Sequence, residues 1–257
     1  MSKFNTESKN IDKAAELGVP SLVWRAGQDR RWKMILDAAG DLLYGKVIEG
    51  GSGLGAYLNH MAESSELAIG LEVDFERAVE SRRSLDHIVC GIGERLPFPS
   101  DHFNFFLSHE VLEHVIDDRL SVEEIFRTLQ PGGRLILFVP NKGYPFEQHG
   151  IFWRGKYHFG NIPFVNYLPR NIRNKLAPHV RVYTRKEVQN LFEGLPIRII
   201  KQTIIFGAYD NIIARWPRFG KFLRGLLQRL EKTPLRIFGL SHFLVIEKLS
   251  NSPCPDK

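Results

Sequence analysis

Cysteine is almost missing from this chain. Two in 257 residues, Cys90 and Cys254, exclude a disulfide framework and a thiolate metal knuckle. Long apolar runs are absent too, and nothing approaches the roughly 20 uncharged residues of a membrane span. The opening, MSKFNTESKN, is polar and lacks an apolar core, so no secretory leader is expected and a cytoplasmic, reducing setting is the default expectation. No internal repeat and no low-complexity tract occurs. Acidic residues nearly vanish between Arg215 and Arg236, where seven basic side chains face Glu231 alone. That segment matches the +6 excess of the whole chain, so the basic balance is a local feature.

What is present is material for a core, with 43% of residues hydrophobic and 25% charged. Trp32, Ile35, Leu36, Ala39, Leu42 and Leu43 recur at helical spacing and predict a helix over 27–43. GKVIEG, ELAIGLEV, DHIVCG, FNFFLS and RLILFVP then read as strands, with Cys90 in one expected to be buried. LGAYLNHMAES, DFERAVESRR and SVEEIFRTLQ read as the helices between them, the last stopped by Pro131, Gly132 and Gly133. Strands alternating with helices imply a doubly wound α/β sheet.

After Pro140 the rhythm breaks. Residues 141–183 hold Tyr144, Phe146, Phe152, Trp153, Tyr157, Phe159, Phe164 and Tyr167, too many aromatics for disorder, and read as a substrate-binding insertion. Thr184, with Glu187 three residues on, has the spacing of a capping box and opens a further helix. IRIIKQTIIFG and SHFLVIEKL are the last strands, with the basic segment between them. The expected organisation is one domain over 1–257 with flexible tails at 1–10 and 251–257. Residues 27–140 form a cofactor half, and 184–250 form a C-terminal half carrying a basic helical insertion at 208–237.

KVIEGGSGLG places Gly51, Gly53 and Gly55 between a strand and a helix, where bare backbone lets a ligand approach the unpaired N–H groups of the helix start. Gly51, Gly53 and Ala56 also satisfy a dinucleotide fingerprint, which keeps an NAD(P)-dependent oxidoreductase open. The chain lacks a Tyr-x-x-x-Lys pair for carbonyl chemistry, which counts against it. Glu72 ends the next strand at the distance where a carboxylate accepts bonds from ribose hydroxyls, and Asp74 is its alternative. Glu49, at the mouth of the turn, would repel a pyrophosphate but suits a ligand bearing an ammonium and a sulfonium.

GERLPFPSDHFNFFLSHEVLEHV, followed by IFRTLQPGGRLILFVPN, resembles class I S-adenosylmethionine-dependent methyltransferases over about residues 40–140. The resemblance implies a Rossmann-like sheet of seven mostly parallel strands with helices on both faces, the last strand antiparallel, and S-adenosylmethionine as cofactor. It places Glu49, Gly51, Gly53 and Gly55 around the methionine part and ribose, with Glu72 on the ribose hydroxyls. Val73 then flanks the adenine, with Ile92, Gly93 and Glu94 on its other side and Ser108 beneath the cofactor. Two positions depart from the family's pattern: Ile92 stands where an Asp is common, and Asn104 replaces an Asp after Phe103.

Methyl transfer from a sulfonium is an in-line displacement, in which a hydroxyl nucleophile needs its proton managed. Two places offer that. Glu110, Glu113 and His114 form an E-x-x-E-H array within one expected helical turn. It is similar to the metal motif of ubiquinone-biosynthesis O-methyltransferases and of small-RNA 2′-O-methyltransferases, although metal-free relatives carry the same LEH and a metal-free site is favoured. The second place is the insertion, where Glu147, His149 and His158 follow the fifth strand and His149 is the favoured base.

Phe219, Phe222, Leu223, Leu226, Leu227 and Leu230 make one stripe of a basic amphipathic helix. Its favoured placement folds the stripe onto the domain over the acceptor site; peripheral contact of 215–236 with an anionic membrane is the alternative. Nucleic acid is disfavoured, because aromatics do not interleave with the basic cluster. The expected function is methyl transfer to a hydroxyl of a small molecule, sugar or lipid-linked glycan. A non-catalytic cofactor-binding or membrane-docking module is the alternative from another class.

Overall fold

The computed structural model describes residues 24–250, so the predicted tails at 1–10 and 251–257, and Cys254, lie outside the described residues. Helix α1 (Ala26–Ala39) runs into a 3₁₀ turn at Gly40–Tyr44. Strand β1 (Lys46–Gly50), α2 (Ala56–Ala62), β2 (Leu67–Glu72), α3 (Phe75–Ser81) and β3 (Ile88–Cys90) follow. Then come β4 (Phe103–His109), α4 (Asp118–Thr128) and β5 (Leu129–Pro140). The strand order is β3-β2-β1-β4-β5 so far, with every neighbouring pair parallel.

The insertion is built of small pieces. Strands β6 (Phe146–Glu147), β7 (Ile151–Trp153), β8 (Lys156–His158) and β9 (Ile162–Pro163) form two short ribbons, followed by α5 (Arg170–Leu176). Helix α6 (Arg185–Asn190) has the predicted capping box between Thr184 and Glu187. Strand β10 (Ile197–Ile205), α7 (Asp210–Arg215), α8 (Pro217–Leu230) and β11 (Ser241–Lys248) complete the chain. Strand β11 inserts between β5 and β10, antiparallel to both, giving the expected seven strands with the last one reversed.

Period-two alternation divides the core. Ile48, Phe106, Leu135 and Leu137 pack on one face of the sheet, and Val47, Phe105, Leu107, Ile136 and Phe138 on the other. Helices cover both faces, which is why β5 is apolar almost throughout. Two local expectations change. Helix α4 ends at Thr128, and Gln130, Pro131 and Gly132 already belong to β5, because Leu129 leaves the helix in an extended conformation and is fully buried. Cys90 is exposed, since β3 is the edge strand and Cys90 its last residue.

The basic insertion also differs from its favoured placement. Gly220 is the buried residue of α8, and a Cβ there would lie 2.7 Å from Ile213 Cα, so α8 packs tightly on α7. That contact leaves the outer half of the stripe uncovered: Phe219, Phe222 and Leu226 are 56%, 69% and 44% exposed.

Candidate active site

A cleft of about 810 Å³ opens at the C-terminal ends of β1, β2 and β4, where the chain departs from β1 in both directions across the sheet. Glu49, Gly51, Gly53, Glu72, Val73, Ile92, Gly93 and Ser108 all line it. Gly55 does not. It caps α2 with φ of 81°, and a Cβ there would lie 2.1 Å from Leu85 Cδ1, so its smallness serves the turn rather than a ligand. Gly51 has φ of 66°, and a Cβ would meet Val111 at 2.5 Å.

The two acids at the glycine end differ. Glu72 Oε2 accepts from the Gly53 N–H at 2.8 Å and Oε1 from the Asp74 N–H at 2.9 Å, so this carboxylate braces the glycine turn from the neighbouring strand. Asp74, the alternative to Glu72, caps α3 by accepting from the Arg77 N–H and is not among the residues lining the cleft. Glu49 is buried, and its Oε2 has no hydrogen-bond partner. Burial, with the charge of Glu72 adding to it against the N–H of Leu58, pushes its pKa up to about 8. Glu94 accepts from the N–H groups of Ile116 and Asp117 just ahead of α4, a structural bond.

Just past the tip of β4, where Val111 packs against Gly51, the E-x-x-E-H array is divided between two sets of partners. Residues 110–116 form turns, not a helix, and Glu110 has φ of 56°. The sharp turn aims its carboxylate at Arg31 of α1, 3.0 Å away, and Ser241 donates to the same oxygen at 2.7 Å. Arg31 also reaches His109 Nε2 at 2.6 Å and Ser241 at 3.0 Å, tying α1 across the tips of β4 and β11. Burial and then the Arg31 charge lower His109 to about 3, so it meets Arg31 as a neutral acceptor. Glu110 is thereby held by Arg31 and Ser241; its carboxyl remains beside that of Glu113 but lies outside the grouping of Glu113 and His114 described next.

Glu113 and His114 instead meet His149 of the insertion, with one ligand atom from each residue within 4.8 Å of the other two. Glu113 is 1% exposed, and neither of its oxygens accepts a hydrogen bond. Burial, then the neighbouring Glu110 carboxylate, holds its pKa well above the usual range. His114 Nδ1 lies 3.2 Å from the His179 carbonyl, and burial, then His149, lower its pKa to about 4.

The insertion presents His149 through a buried support. Glu147 Oε1 accepts from the His149 N–H at 3.0 Å and lies 3.1 Å from its Nδ1, while Oε2 meets Arg173 of α5. Burial pulls Glu147 upward, but His149 and Arg173 outweigh it and bring it to about 2. His149 lines the cleft. His158 does not: alternation along β8 turns Tyr157 inward, where its hydroxyl donates to the His149 carbonyl, and leaves His158 exposed. Arg31, His109 and Gln28 also belong to this region and were not singled out from the sequence. Helix spacing marked α1 but not what its polar face reaches.

Residues 48–137 match a family model described as a methyltransferase domain. The chain is 27% identical over 169 residues to an uncharacterized protein of Methanocaldococcus jannaschii, covering 65% of this chain and 72% of that one. It is 29% identical over 129 residues to a demethylmenaquinone methyltransferase of Paenarthrobacter aurescens, 49% of this chain and 51% of the relative. It is 31% identical over 139 residues to a ubiquinone/menaquinone biosynthesis C-methyltransferase of Desulfotalea psychrophila, 49% and 56%. The chain thus spans about half the length of these two quinone enzymes. An S-adenosylmethionine-dependent methyltransferase of Mesorhizobium loti shares the fold, with TM-score 0.60, 16% identity, and coverage of 93% of this chain and 100% of that one.

Proposed function

The chain carries a class I S-adenosylmethionine-dependent methyltransferase domain, and on that premise we propose that it methylates a hydroxyl of a small lipid-like or lipid-linked glycan acceptor taken up beside an anionic membrane surface. The oxidoreductase and the non-catalytic module give way to the family match. The cleft fits the cofactor on its own chemistry: an orphaned buried carboxylate oxygen at Glu49 suits a cationic ligand, and Gly51 has no room for a side chain. Glu49, Gly51 and Gly53 would hold its methionine part, and Glu72 its ribose. Bound there, S-adenosylmethionine supplies a methyl group on a sulfonium that leaves as a neutral thioether.

One observation carries the hydroxyl reading: His114 and His149 line the same cleft as the glycine turn, with buried Glu113 grouped beside them. Oxygen nucleophiles must shed a proton as the carbon–oxygen bond forms and the carbon–sulfur bond breaks, and this cluster is where the proton departs. Glu147 commits His149 Nδ1, leaving Nε2 as its working atom. Transfer to carbon is the second reading, favoured by the name of the Desulfotalea psychrophila relative.

Helix α8 supports the membrane source of the acceptor. Phe219, Phe222 and Leu226 are exposed apolar side chains beside the exposed cations Arg215, Arg218 and Lys221, a surface complementary to anionic lipid. Among the described residues no helix is long and apolar enough to cross a membrane. The test is a labelled-methyl screen of lipid and polar extracts. Label on oxygen of a lipid-soluble product, reduced about 10²-fold or more in His149→Ala, is expected; label on carbon or nitrogen overturns the hydroxyl reading.

A further inference from the structure

We propose that Glu113, His114 and His149 bind a divalent first-row transition-metal ion at the acceptor end of the cleft. The donor set is one carboxylate and two imidazoles, a combination suited to zinc, iron, nickel or manganese rather than to calcium or magnesium. The ligand atoms lie within 4.8 Å of one another. Around an ion held at about 2.0–2.2 Å they would draw together by about an ångström, a movement open to His149, whose side chain is 24% exposed.

Three further features point to a ligand. Glu113 is 1% exposed, no N–H group among the described residues donates to either oxygen, and the carboxyl beside it is that of Glu110, so the acid needs either a proton or a cation to complete it. Both histidines are anchored through Nδ1, His114 on the His179 carbonyl and His149 on the Glu147 carboxylate. That anchoring is the outer-shell arrangement that fixes a ligating imidazole and presents Nε2 to an ion. The Glu147 carboxylate is itself held by buried Arg173. Finally, His114 and His149 line the cleft while Glu113 lies behind them, which leaves the open side of the ion toward the acceptor.

The inference deepens the hydroxyl reading and rests on it for the purpose of the ion, which is to make a hydroxyl bound at this cluster more acidic so that its proton passes to water, with His149 Nε2 serving as a ligand rather than as the base. The binding itself is independent of that reading. The full chain, free of any polyhistidine tag, is dialysed against Zn²⁺, Mn²⁺ or Mg²⁺ and its metal content counted. One Zn²⁺ or Mn²⁺ per chain, with Mg²⁺ far weaker, is expected. Glu113→Gln and His149→Gln should each weaken binding about a hundredfold or more, and Glu147→Gln about 10–100-fold through the lost outer-shell bond. His158→Ala, at an exposed histidine away from the cleft, should change nothing. Calorimetric binding of S-adenosylmethionine verifies that each variant is folded. Absent stoichiometric binding, or binding equal in Glu113→Gln and the unaltered chain, overturns the proposal. Stoichiometric metal together with methyl transfer to carbon would leave the site standing and overturn the hydroxyl reading alone.

Discussion

Oε1 of Glu147 lies 3.1 Å from Nδ1 of His149, and this contact decides which imidazole nitrogen the cleft meets. The other oxygen of Glu147 is 2.5 Å from Arg173, and both partners are almost wholly buried, so the imidazole is mounted on an ion pair inside the insertion.

Breaking that mount should be felt in two ways. Glu147→Gln keeps the volume but leaves Arg173 buried without its counter-charge, which costs about 3–5 kcal/mol. Urea unfolding should show a lower midpoint. Methyl transfer should fall, while calorimetric affinity for S-adenosylmethionine stays unchanged, because Glu147 does not touch the glycine end. An unchanged rate would remove His149 from the reaction.

Glu72→Ala should weaken S-adenosylmethionine binding by about 1–3 kcal/mol, as expected for losing a charged hydrogen bond. The control is Asp74→Ala, which removes the cap of α3 and costs about 0.5–2 kcal/mol of stability with a smaller effect on affinity. Equal calorimetric effects from the two substitutions would refute the ribose assignment.

Glu49 makes binding depend on pH. Its folded pKa of about 8 exceeds the ordinary 4.5, so the folded chain keeps a proton that the unfolded chain has lost. Stability from this group is whole below pH 4.5 and declines as pH rises to about 8. A cationic ligand beside Glu49 favours the charged form and should expel that proton. Near pH 7, calorimetry in buffers of different ionisation heat should count about one proton released on S-adenosylmethionine binding. In Glu49→Gln the release should vanish and the decline of Tm with pH should flatten. Proton uptake would contradict the assignment.

Phe222 is 69% exposed on α8, amid Arg218 and Lys221. Phe222→Asp should abolish sedimentation with phosphatidylserine vesicles while leaving transfer to a detergent-dispersed acceptor intact. Raising salt should weaken vesicle binding of the unaltered chain, because exposed charges beyond about 10 Å are screened at 0.1 M. A chain that ignores anionic vesicles at low salt has no such docking face.

Local chemistry was legible in the sequence. Alternation of apolar runs, the glycine turn before α2, the box at Thr184 and Glu187, and the carboxylate ending β2 are all set by neighbours a few residues apart, where backbone sterics and hydrogen bonds act. Tertiary structure alone decided that Glu110 belongs to Arg31 and Ser241 and that His149 joins Glu113 and His114. It also decided that α8 turns Phe219 and Phe222 outward. Periodicity reports which face of an element is apolar, but the partner of a polar side chain depends on where distant segments end in space. Folding settles that by burying the groups together that satisfy one another's charge.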